Sequence, residues 1–586
     1  MDGYRENFFR GLIIEYLILT GGVMDYVLSS VFSDGAILQR DSTIRVYGFS
    51  NVDAQINCDL RYMGFGAGNS TPNSSQARLE KGKRWEVSMR AMPKGGPYEL
   101  TCGEIKIHDI YFGDVFVLGG QSNMELMLAR TLDLYEDEIK NEDDAYLRIF
   151  NVPHKYDFKK KHEIIEGGRW IKAAGESVMD FSAAGFFFAK KMRKDNPNVP
   201  IGLIQTAVGG TPVHSWISEE HLTKADDELI FSEGRILSKF NFPIPSNKFF
   251  LSYMDRLAFL KVPGYVDKII EADNDNMNRW NEEAEAEKKN VIEKGTLRVP
   301  GMFLEGALKG FIGAMWVTKK ITVTKEMLDG LKENRDEKNC LLRLGALVDA
   351  DDVYINDNYV GSTGYCYPPR KYQFSSSVLK EGENEIKIFM RVFRKVGGFV
   401  PDKRYEMILG TSGSSYNGKM LGEKADGKIH TIDLSGKWEY AVCTKKDVLA
   451  DQTFFEYEPA GLFNGMIAPL SGLSVKAVAF YQGESDTDRP DDYEYKFECM
   501  VADWRDVFRS QALPFVYVQL ADFTNIGLDD TVIKWKIMQG KQASLQKLNN
   551  VKMATAKDLG EYNDLHPQRK KLLGLRIAEA MHEFDS

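Results

Sequence analysis

The 586-residue chain has no CxxC pair, no HExxH and no Cys/His cluster. Its six cysteines (Cys58, Cys102, Cys340, Cys366, Cys443 and Cys499) are scattered, so neither a disulfide framework nor a zinc ribbon is expected, and no metal or other cofactor. A clustered basic stretch is also missing: 75 Lys and Arg stand against 85 Asp and Glu, for a formal net charge of −10. No nucleic-acid partner is expected, because a phosphate backbone is met by a basic surface. No run reaches the roughly 18 apolar residues of a membrane-spanning helix, so no membrane partner is expected either. Arg5 and Arg10 precede GLIIEYLIL, residues 11–19, which imitates a signal peptide, but Glu15 interrupts it and no small-residue cleavage site follows. Met24 is an alternative start. The expected location is cytoplasmic, with secretion as the alternative.

What is present is ample core material, 43% hydrophobic against 27% charged residues, over a length that suits several domains. Residues 27–111 carry short alternating strands separated by Gly, Asn, Ser and Pro clusters, the pattern of a small β-sandwich. From residue 112 apolar strands (DVFVLGG, LRIFNV, IGLIQTA) alternate with helical stretches such as FSAAGFFFAKKMRKD, which predicts a parallel α/β sheet over 112–313. Residues 266–295 read as a charged, solvated connecting helix. Short strands return over 314–445, with Asp357-Asn358 as a hairpin turn, and the α/β rhythm resumes over 446–586. The simplest organisation is one α/β domain interrupted by a β-domain.

Four segments place polar residues where apolar strands end. Residues 116–128, FVLGGQSNMELML, run from strand through a Gly-Gly turn into helical spacing, setting Ser122 on a strand-to-helix corner as either a nucleophile or an N-cap. Gly209 and Gly210 in QTAVGGTPVHSWIS let bare backbone N–H groups approach a ligand. Gln482 and Glu484 follow the strand AFY. His566 stands in NDLHPQRKK before a final helix, with Pro567 in its first turn and Leu572, Leu575, Ile577 and Ala578 on its apolar face. Open α/β sheets bind ligands at the carboxyl ends of their strands, which makes the four together more than turns. GSSYNGK, residues 413–419, has phosphate-loop spacing, but Met420 stands where Ser or Thr is needed and no helix follows.

The order GQSNM, GGTP, YQGES and NDLHP resembles the sialate O-acetylesterase group of carbohydrate esterases, within the SGNH hydrolase superfamily. VFSDGAILQRD, LFNGMIAPL, DWRDVF and PFVYVQL support it, and LGALVDADDVYINDNYVGSTG resembles the jelly-roll domain of β-galactosidase-type hydrolases. The resemblance implies an SGNH-hydrolase-like three-layer parallel sheet with an N-terminal β-sandwich and an inserted jelly-roll domain. It implies an esterase that removes acetyl groups from O-acetylated sugars, sialic acids or plant polysaccharide. A non-catalytic carbohydrate-binding protein is the alternative of another class. In the esterase reading Ser122 attacks and His566 is the base. Oxyanion donors come from the Ser122 N–H, the N–H of Gly209 or Gly210 and the Gln482 amide, while Gln121, Asn123 and Glu484 support the site. Trp216 is expected to stack on a sugar, Tyr562 is a further candidate, and Tyr481 is expected in the core.

One departure stands out. The superfamily's acid lies three residues before the histidine, where this chain has Asn563. Asp564, two residues before it, serves either as the acid or as a helix cap, and a Ser–His dyad oriented by a backbone carbonyl stays open. The β-domains are expected to buttress the catalytic unit.

Overall fold

A computed structural model describes residues 25–64, 71–223, 252–329, 331, 338–394, 396–401, 403–410, 430–523, 530–561 and 564–584. The leader-like residues, the phosphate-loop imitation, Tyr562 and Asn563 lie outside these.

The element that positions the site is a 16-residue strand, β1 (Ile105–Gly120). Its first half alternates buried and open positions and pairs antiparallel with Gly95–Cys102, as in a sheet with one wet face. From Phe112 onward every residue is buried, and Asp114–Gly120 runs parallel between two neighbours, as in a sheet covered on both faces. The expected division at 111/112 therefore falls inside one continuous strand.

The remaining strands of this sheet are β2 (Asp143–Asn151), β3 (Trp170–Ala174), β4 (Ile201–Gln205), β5 (Ala477–Tyr481), β6 (Phe515–Gln519) and β7 (Val551–Thr555). Their order is β3-β2-β4-β1-β5-β6-β7, with all pairs parallel except β3 on β2. Strands β4 and β5 flank β1 in space yet are separated in sequence by the inserted unit. Helix α1 (Ala183–Asp195), capped by the Ser182 hydroxyl, packs along α4 (Lys570–His582), while α2 (Tyr493–Val507) packs on α3 (Thr531–Ser544). Leu573, Ile577, Ala578 and Met581 supply the buried face of α4. Leu572 is exposed, and Pro567 precedes the helix by three residues, so the apolar face is rotated from the expected one.

The inserted unit has its own apolar core. Its largest sheet, of six strands, begins with the strand Glu293–Val299, before the expected start at 314, and a second sheet has four strands from Lys371–Phe374 to His430–Asp433. The helix Tyr265–Ala286 is more than a solvated connector: Trp280 and Ala284 are buried in one cluster with Phe389 and Phe393 of the insert. The hairpin turn sits one residue earlier than expected, at Asn356 and Asp357, both with positive φ. Cys58 and Cys102, directly paired across neighbouring strands, form a disulfide that their sequence spacing does not suggest. No helix among the described residues is long and apolar enough to cross a membrane.

Candidate active site

Where β1 ends, Gly120 takes φ +116°, and a Cβ there would lie 2.1 Å from the Tyr481 carbonyl oxygen of β5. Only glycine lets the chain turn this close to its neighbour. The turn leads into a single helical turn, Ser122–Glu125, whose N-cap is Gln121 with no side-chain capping bond. Ser122 is thus free of the capping duty. Its Oγ lies 2.8 Å from Nε2 of His566, 444 residues later in sequence.

A buried polar brace holds that distance. Asn123 Nδ2 donates to Glu484 Oε1 at 2.6 Å and to the Leu565 carbonyl at 2.9 Å, tying the serine turn to the residue before His566. Lys570 Nζ donates to Asn123 Oδ1 at 2.6 Å, closing a chain that links β1, β5 and α4. Burial raises the Glu484 carboxyl and lowers the Lys570 ammonium to about 8, which is the cost of keeping both out of water. Gln121 Oε1 accepts from the Gly483 and Ser485 N–H groups, joining the first and third strand exits.

Burial also depresses His566, to about 4; nearby Asp564 opposes the shift, whereas Arg130, Lys570 and Lys403 add to it. The imidazole is therefore neutral near neutrality, as a proton acceptor must be. Asp564 does neither of the two things expected of it. Its Oδ1 accepts the His566 backbone N–H at 2.9 Å, and its Oδ2 pairs with Lys403 of the insert. Helix α4 begins too far on to be capped by it.

Three further expectations need correction. Gln482 does not offer its amide to a ligand: Nε2 donates to Asp486 at 2.5 Å and to the Thr211 carbonyl at 3.3 Å, because Asp486 lies one helical turn on. Trp216 is no sugar platform. It is fully buried, its Nε1–H donates to Thr211 Oγ1, and its ring packs edge-on against Trp504. Tyr481 is buried, as expected of it. The inserted domain does more than buttress: Tyr367 sets its ring edge-on to His566, with centroids 5.7 Å apart, and Lys403 reaches Asp564.

Gly209 lies beside the serine. A Cβ built on it would be 3.5 Å from Ser122 Cβ and 3.2 Å from Glu125 Oε2. Gly210 takes φ +77° and carries the Tyr457 hydroxyl where a side chain would sit. A cleft of about 1050 Å³ opens between the sheet rim and the insert, walled by His566, Asp564 and Arg130 on one side and by Tyr367, Lys403 and Arg343 on the other. Lys570, Lys403, Tyr367 and Glu125 went unnoticed in the sequence. For Glu125 a signal existed, since it stands three residues after Ser122 and hence about one helical turn away.

The family described as carbohydrate esterase, sialic acid-specific acetylesterase, matches residues 112–228 and 458–583. The human sialate O-acetylesterase is 25% identical over 210 residues, covering 33% of this chain and 39% of that protein. The mouse protein of the same name is 25% identical over 226 residues, 36% of this chain and 41% of that one. The chain thus spans about two fifths of the length of the curated relatives it matches. A carbohydrate acetylesterase structure from Xanthomonas citri shares the fold over 95% of this chain and 75% of its own, with TM-score 0.50 and 18% identity. The two segments that match this family carry Ser122 and His566 to the same sheet rim.

Proposed function

We propose that this protein is a serine esterase that removes O-acetyl groups from carbohydrate, with sialic acids as the first substrates to test and acetylated plant polysaccharide as the second. The single observation that carries the reading is the 2.8 Å contact between Ser122 Oγ and His566 Nε2. In this mechanism His566 accepts the Ser122 proton as Oγ attacks the acetyl carbonyl carbon. The oxyanion is met by the Ser122 N–H, unpaired within its helical turn, and by the glycine N–H groups at 209 and 210. His566 then protonates the departing sugar alkoxide, and water attacks the acetyl-serine by the reverse route. None of these steps asks for a metal. The three-layer SGNH layout and the jelly-roll character of the insert belong to the same reading. The Cys58–Cys102 disulfide favours the secreted alternative over a cytoplasmic location, because such bridges persist in oxidising compartments.

The test is covalent labelling by a serine-reactive organophosphate in wild type and Ser122→Ala, with acetate release measured across acetylated sialic acids, xylan oligomers and simple sugars. Labelling lost in Ser122→Ala, together with acetate release, supports the esterase. An unlabelled wild type that frees no acetate from any of these sugars leaves only carbohydrate binding.

A further inference from the structure

The insert brings more than Tyr367 to the cleft. In the segment Tyr365-Cys366-Tyr367 the two tyrosines are 56% and 46% exposed, with ring centroids 6.4 Å apart and planes inclined by 68°. Tyr367 stands in turn across the His566 ring, 5.7 Å away and at 81°. Three rings thus lead outward from the proton acceptor, each step close to the length of one pyranose unit. A single open aromatic ring is ordinary on a protein surface; two in succession, leading away from a candidate active site, call for an occupant.

The loop that carries them is held from below. Pro368 and Pro369 follow at once and fix the backbone φ there. The guanidinium of Arg370 is fully buried and grips the carbonyls on either side of Tyr367: Nη1 donates to Pro368 at 2.7 Å and to Cys366 at 3.3 Å. Its Nη2 donates to the Asp349 carbonyl at 2.8 Å, and Nε pairs with the equally buried Asp351 at 2.6 Å. A buried ion pair is a weak source of stability. What this one secures is the position of the two carbonyls, and rings held in place beforehand give up little freedom when a ligand arrives.

The chemistry of the rings and of the neighbouring site selects the occupant. An aromatic face is electron-rich, and the C–H face of a pyranose is its counterpart. The cleft, at about 1050 Å³, lies at the upper end of what one small ligand fills. A single sugar whose acetyl group reaches Ser122 can cover Tyr367; Tyr365, one ring further out, is covered only by the next unit of a chain.

We propose that Tyr365 and Tyr367 form a carbohydrate platform for the sugar units next to the acetylated one, so that the substrate class is an acetylated glycan chain of two or more units rather than a free monosaccharide. The inference rests on the esterase reading above and adds chain length to it.

The experiment measures kcat/KM for acetate release from partially acetylated xylo-, cello- and manno-oligosaccharides and oligosialic acids, each one to four units long, with 4-nitrophenyl acetate as the sugar-free reference. In at least one series wild type gains about three- to tenfold for each of the first two units added, the worth of one aromatic contact, and then levels. Tyr365→Ala loses the gain from the outer unit, and Tyr365→Phe, which keeps the ring, retains it. The ratio of long to short substrate cancels a general loss of activity in a poorly folded variant, and the wild-type series needs no variant at all. With 4-nitrophenyl acetate turned over, a level wild-type profile in all four series, no release from any oligomer, or an unchanged length gain in Tyr365→Ala overturns the proposal. Failure of wild type to hydrolyse 4-nitrophenyl acetate and every sugar ester would instead sink the esterase reading itself.

Discussion

Asp564→Asn separates a triad from a dyad with a wide margin. Asn keeps an oxygen for the His566 backbone N–H, now 2.9 Å from Oδ1, but gives up the charge that pairs with Lys403. A hydrogen bond to a charged acceptor is worth ~1.5–3 kcal/mol and a neutral one about half, so this contact loses about 1 kcal/mol. The field of Asp564 at the imidazolium is already offset by Lys403, and such partly open pairs contribute no more than about 1 kcal/mol further. A total of about 1–2 kcal/mol corresponds to a roughly 5- to 30-fold fall in kcat. An acid hydrogen-bonded to the ring behaves otherwise, since its amide imposes the wrong tautomer and costs about 10⁴. The assay is kcat on 4-nitrophenyl acetate for Asp564→Asn beside Ser122→Ala and His566→Ala. A loss for Asp564→Asn within tenfold of that for His566→Ala would refute the dyad and show that the carboxylate turns to Nδ1 when substrate binds.

Three other outcomes are expected. The proposed mechanism uses neutral His566, whose folded value lies near 4, so the acid limb of activity falls as pH drops through about 4; an acid-limb midpoint at pH 6 or higher in the kcat/KM profile would contradict the buried environment. Trp216→Phe removes a buried indole and its bond to Thr211, lowering stability by about 1–3 kcal/mol in chemical denaturation while leaving KM for an acetylated sugar unchanged; the reverse pattern would restore Trp216 as a sugar contact. Tyr367→Ala, at the insert's edge of the cleft, raises KM for acetylated oligosaccharide several-fold and leaves turnover of 4-nitrophenyl acetate within about twofold, measured by steady-state kinetics; equal effects on both would tie Tyr367 to His566 alone.

How much of the site was legible follows from how local each signal is. An apolar run that ends in Gly119-Gly120 and restarts at helical spacing needs only its own neighbourhood to announce a strand-to-helix corner. In a parallel sheet such corners gather at one rim whatever lies between them in sequence. Ser122 and His566 could therefore be paired on paper across 444 residues, and the structure has them 2.8 Å apart. The role of Asn123 as a support was equally open to a sequence reader, though not its means, because Glu484 and Lys570 reach it from strands and helices far away in the chain.

The misplaced residues share a physical cause. Trp216 and Gln482 stand in the right loops, but a side chain's direction is set by whichever partner completes its hydrogen bonds: Thr211 and Trp504 draw one inward, and Asp486 holds the other. Asp564 was read as acid or cap because both partners are close in sequence, whereas its carboxylate meets Lys403, 161 residues earlier, across a domain boundary. The order of apolar and polar residues along the chain determined the parallel sheet, its interruption and the set of residues at its rim, since those depend on burial and backbone spacing alone. Packing between the insert and the sheet decided which of those residues face the cleft, which brace it and what charge each one carries, because only close contact in space excludes water and supplies the opposing dipoles.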